Sequence, residues 1–197
     1  SNGGNGGGGG HPVSQISLRT AELTAFDRHF HDVNLRASLQ GDTWQAQVAS
    51  RDVAGEFSWR ADERGRLRAR LKHFTLGETR PGKSLIAEEP LRELPGLDVV
   101  AESFTLRGHK LGRLELLATN VDNAWKLDRL ALANPDGTLV SDGLWRGSGT
   151  QLNFKLDVSD IGGMLERLGY ADAVKRGTAE LEGKVSWAGT PTQIDHA

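Results

Sequence analysis

The chain has 197 residues, a formal net charge of −2 and 37% apolar residues. That length holds one large all-β domain or two small ones, and the near-neutral charge gives no support to nucleic-acid binding driven by bulk charge. The absence of cysteine excludes disulfides and thiolate sites, and no run of 18 apolar residues is present to cross a bilayer as a helix.

Residues 1–12 are rich in glycine (SNGGNGGGGG at the start), have nothing to bury, and read as a disordered tail or linker. A first β unit is predicted over 13–76. Val13–Thr20 alternates with Ile16 and Leu18 on one face; Ala21–His29 has no decisive period. Phe30–Leu39 alternates well, with Val33, Leu35, Ala37 and Leu39 on one face. Gly41-Asp42 turns the chain, and Trp44, Ala46 and Val48 then share a face. Ala54–Arg60 and Arg66–Phe74 are further strands, joined by a turn over Asp62–Gly65. Residues 77–94, with Pro81 and Pro90 among charges, read as a loop that could hold a helical turn near Ala87–Leu94.

A second unit is predicted over 95–197. Leu94–Arg146 reads as four strands joined by turns at Leu106–Gly112, Asn120–Ala124 and Asn134–Gly137. Gly147–Gly149 turns into a strand with Leu152, Phe154, Leu156 and Val158 on one face. The period then changes. SDIGGMLERLG reads as a short helix over about 160–168, capped by Ser159 or Asp160 and stopped by Gly169. After Gly177 comes one more strand, the start of a further repeat, with Leu181, Val185 and Trp187 on one face.

A shift of 81 residues overlays the first unit on the second. Val33 meets Leu114, Leu35 meets Leu116, and Trp44 meets Trp125; after a five-residue insertion Trp59-Arg60 meets Trp145-Arg146. The pattern Gly-x-apolar-Ser-Trp also occurs twice, at 55–59 and 183–187. About ten strands would thus each offer one apolar face, and one short helix covers two or three of them. Each large side chain left wet forfeits about 1.5–3 kcal/mol. The face must therefore be covered by the sheet bending onto itself as a dry sandwich, or form a groove filled by a partner or an apolar ligand.

No catalytic constellation is visible. The six histidines are scattered, no serine sits in a nucleophile elbow, and the N-terminal glycines lack the strand and helix of a phosphate loop. No cofactor or metal is implied, and the chain reads as non-enzymatic. Arg66, Arg68 and Arg70 share a strand face opposite Leu67, Ala69 and Leu71. They are either a solvated face paired to acidic neighbours or a cationic rail for lipid phosphates. The tryptophans at 44, 59, 125, 145 and 187 read as anchors at strand ends or as the lining of a groove mouth.

The stretches LPGLDV, LGRLEL, WKLDRLALANPDGTL and GLWR, with the helix and RGTAELEGKVSWAGTP after it, resemble the C-terminal part of the AsmA-like superfamily, YhdP type, relatives of TamB. These motifs mark a structural repeat and no catalytic site; the glycine-rich head departs from the pattern. The resemblance implies a bridge-like lipid transfer protein of the Gram-negative periplasm. It would be anchored in the inner membrane by a helix outside this chain, and it would carry phospholipid toward the outer membrane and support barrier integrity.

The expectation is a mainly β fold: a curved antiparallel sheet of repeated β-meander units forming an apolar groove, with one short α-helix. Its lipid-groove candidates are Val33, Leu35, Leu114, Leu116, Leu152, Phe154, Leu156, Leu181 and Val185, with Arg66, Arg68 and Arg70 as headgroup contacts. The expected partners are phospholipid and neighbouring β units of a longer protein. The alternative is a structural or protein-interaction β-sandwich with a dry core.

Overall fold

The structure is a computed structural model; it describes residues 14–25, 28–60, 65–77, 95–122, 124–147 and 149–188. The glycine-rich head and all but Gly77 of the loop predicted at 77–94 lie outside them. The described residues form one sheet of eleven strands in the order of the chain. The first five are β1 (Gln15–Ala25), β2 (Arg28–Gln40), β3 (Thr43–Ala49), β4 (Val53–Arg60) and β5 (Arg66–Leu76). The next five are β6 (Gly96–Leu106), β7 (His109–Val121), β8 (Ala124–Asn134), β9 (Gly137–Arg146) and β10 (Gly149–Val158). The helix α1 (Ile161–Arg167) and β11 (Ala179–Ala188) complete the chain.

β1 and β6, like β2 and β7, differ by 81 residues at both ends. Each unit is therefore a five-stranded meander. An odd number of strands starts and finishes in the same direction, so a second copy in the same orientation must begin parallel to the last strand of the first. β5 and β6 are indeed parallel, and every other pair is antiparallel. The last residue of β5 and the first of β6 therefore lie at opposite ends of the sheet, a strand length on the order of 36 Å apart. β11 runs opposite to β6, in the sense of β4, whose Gly-x-apolar-Ser-Trp sequence it shares.

Two details differ from the sequence reading. Thr75 and Leu76 continue β5. Gly112 lies inside β7, where the turn before it is the Arg107-Gly108 pair with φ of 49° and 80°. Gly112 has φ 98°, and a Cβ there would run into the Ala133 carbonyl oxygen. It thus permits a close approach to β8 at a site where the β6–β7 register shifts. Such bulges, here also in the β4–β5, β7–β8 and β8–β9 pairings, sharpen the bend of a sheet.

Extensive contacts join consecutive strands only, apart from those of α1 with β7. Among the described residues the sheet is one layer, open at β1 and β11. The dry sandwich is therefore not formed. The most buried cluster, Ala69, Leu71, Val99, Ala101, Phe104 and Leu114, sits at the parallel seam between the two copies. Across it the rings of Phe74 and Phe104 pack with centroids 5.7 Å apart. These side chains cover one another on a single-layer sheet because the sheet curves toward its apolar face.

Candidate functional site

Alternation puts every second residue on the concave face, and the register joins these residues into rows that cross the strands. One row takes a residue from each of the eleven strands: Leu18, Leu35, Val48, Gly55, Leu71, Ala101, Leu114, Leu132, Leu139, Leu156 and Leu181. The next runs from Ile16 through Ala46, Phe57, Val99, Leu116 and Leu130 to Phe154 and Gly183, with Ser141 as its single hydroxyl. Ser141 donates to the Asn153 carbonyl at 2.7 Å, so it adds no unpaired group. A third row runs from Leu39 and Trp44 through Leu67, Leu97 and Leu127 to Leu152 and Val185. With strands about 4.8 Å apart, each row extends on the order of 50 Å.

All nine predicted groove residues lie on this concave face. Leu35, Leu114, Leu156 and Leu181 stand in the first row, Leu116 and Phe154 in the second, and Leu152 and Val185 in the third; Val33 pairs with Thr20 two positions along β2 from Leu35. Leu114 is buried, while Leu181 and Val185, on the edge strand, are 55% and 43% exposed.

The opposite face is polar. Its rows contain Arg36, Gln47, Glu56 and Arg70, and farther along Lys155 and Glu182. Arg66, Arg68 and Arg70 are here, so the structure does not bring them together with the apolar candidates. Asp98 of β6 pairs with two of them, at 2.9 Å to Arg70 and 3.8 Å to Arg68. The Arg70 hydrogen bond holds the Asp98 carboxyl below its ordinary range against an opposing push from partial burial, and the charges of Arg70, Arg68 and Arg66 add to the lowering. Arg70 also donates to the Ala69 and Asp98 carbonyls. The acidic-neighbour reading thus describes Arg68 and Arg70.

The two long sides of the groove differ. At one, strand ends of β7–β10 are bridged by α1. Asp160 caps the helix by accepting from the Gly163 N–H. Arg167 reaches Asp136 in the β8–β9 turn at 2.7 Å and donates to the Lys110 carbonyl. His109 Nδ1 lies 3.1 Å from the Arg167 carbonyl. Met164 occupies the space beside Gly137 on the concave face. The helix is therefore a flap on one rim.

The other rim carries all five tryptophans. Trp44, Trp59, Trp125, Trp145 and Trp187 are each one residue from a strand end on that side. Trp44 pairs with Trp59, and Trp125 with Trp145, which are the positions the repeat equates. Sequence periodicity could not place them on one rim, because that needs the direction of every strand. Among the described residues no group of three His, Asp or Glu side chains could hold a metal ion, and no helix is long and apolar enough to cross a membrane.

A one-layer sheet with a largely apolar concave face, a polar convex face and a repeat along its axis defines an open β-groove protein. The chain belongs to the YhdP family: the family model for the YhdP protein matches residues 2–197. No curated protein and no solved structure gives a significant match.

Proposed function

We propose that this chain is a non-enzymatic section of a phospholipid conduit in the Gram-negative envelope, in which acyl chains lie against the concave face and headgroups remain in water. One observation carries the reading: apolar rows cross the whole sheet without a second protein layer over them among the described residues. Leaving such a face wet forfeits about 25 cal/mol per Å². Acyl chains offset that cost without requiring a fixed partner shape, at about 0.8 kcal/mol per buried CH₂. Movement is passive, a slide along rows that present similar surface at each strand. Membership of the YhdP family supports a periplasmic location, a membrane anchor elsewhere in a longer protein, and β units that continue the groove.

The experiment is site-specific photo-crosslinking in cells labelled with radioactive phosphate. A benzophenone side chain replacing Leu116, on the concave face, is expected to yield a phospholipid adduct. The same group replacing Glu115, its convex neighbour, is expected to yield none. Equal adducts at the two positions, or none at Leu116, would remove the groove reading.

A further inference from the structure

The tryptophan rim has a chemistry that its packing role does not use. An indole offers a broad apolar ring and one N–H donor, which suits a boundary between hydrocarbon and water. Five such rings follow one side of the concave face, and α1 occupies the other side. Trp125 donates its N–H to the Pro95 carbonyl at 3.3 Å. Trp145 is different. It is 4% exposed, and its indole nitrogen has no hydrogen-bond partner among the described residues. A buried donor left unpaired is disfavoured in folded proteins. Trp145 lies on the concave face between Trp125 and Thr150, and beyond Thr150 is Trp187 of the edge strand β11. β11 is the edge strand, so among the described residues no further strand lies beyond Trp187 and a ligand reaches this row by displacing side chains alone.

We propose that the Trp125–Trp145–Trp187 rim seats the ester region of a bound glycerophospholipid, with the Trp145 indole N–H donating to an ester carbonyl oxygen. The lipid then stands with its headgroup at the tryptophan rim and its acyl chains pointing across the groove toward α1. The assignment rests on the groove reading above and deepens it by fixing lipid orientation. It also moves the polar contacts from the convex Arg68 and Arg70 to the concave rim; Arg66, the first residue of β5, stands at the same rim on the outer face.

The test compares uptake of two phosphatidylglycerols from vesicles by the purified chain, one with ester-linked and one with ether-linked chains. The ether lipid lacks the carbonyl acceptor and keeps the headgroup. The native chain is expected to favour the ester lipid by about threefold to tenfold, the yield of one net hydrogen bond. Trp145→Phe keeps a ring and removes the donor, and is expected to abolish the preference. Tyr170→Phe, which removes a donor from an exposed ring that is no part of the seat, is expected to keep it. Equal uptake of both lipids by the native chain overturns the indole assignment and leaves the groove standing; this arm needs no variant to fold. A preference that survives in Trp145→Phe overturns it as well. Uptake of neither lipid overturns the groove reading and the assignment together.

Discussion

Replacing Leu114 by alanine measures whether the concave face is open. Leu114 is 6% exposed and sits between Ala101 and Leu132 in the first apolar row. The change removes three carbons from contact, worth about 2.4 kcal/mol at about 0.8 per methylene. In a closed core a cavity term raises Leu→Ala costs as high as about 5 kcal/mol. On a one-layer sheet the vacated space joins the groove, so no sealed cavity forms. The expected loss is about 2–3 kcal/mol, read as the shift in urea unfolding followed by circular dichroism. Leu117→Ala is the internal control. Leu117 is on the convex face, paired with Asp98 and Arg129 and 37% exposed, so its truncation should cost less than about 1 kcal/mol. Equal losses at the two sites would mean that the faces are wrongly assigned. A loss near 5 kcal/mol at Leu114 would mean that a second layer covers it.

Two further outcomes follow from backbone geometry and charge. Gly112→Ala should lower stability by more than about 2 kcal/mol, because φ 98° is strained for alanine and the methyl meets the Ala133 carbonyl. Gly41→Ala, at φ 65° with open space around it, should cost only about 1 kcal/mol in the same urea unfolding; equal effects would refute the close approach to β8. For Asp98 the folded carboxyl titrates lower than the unfolded one, so its stabilising contribution is present above the unfolded pKa of 3.8 and is lost as pH falls through the lower folded value. The stability gap between the native chain and Asp98→Asn should stay constant from pH 8 to about 5 and shrink below about 4; a gap that widens in acid would contradict the Arg70 pairing.

Much of the fold is legible in the sequence because a half-wet strand must alternate. Phe30–Leu39 and the stretch around Leu152–Val158 show that period, and each proved to be a strand with the expected apolar side inward. The Asp160 cap and Gly169 stop placed α1 within a residue or two, since both act locally. Ala21–Thr24 lacks a clear period and still continues β1, because pairing of Glu22–Thr24 with His29–His31 of β2 decides it. Gly112 looked like a turn residue and is a strand residue, because what selects glycine there is a backbone in another strand.

The sequence by itself determined two copies of a one-sided meander, offset by 81 residues and too apolar on one face to stand bare. Only the tertiary structure decided that the copies share a single open sheet. It also set their junction as parallel, the five tryptophans on one rim, and the arginines on the convex side. The reason is that alternation says which residues share a face within one strand. Strand direction and order, which depend on pairing between distant segments, say which faces and ends of different strands come together.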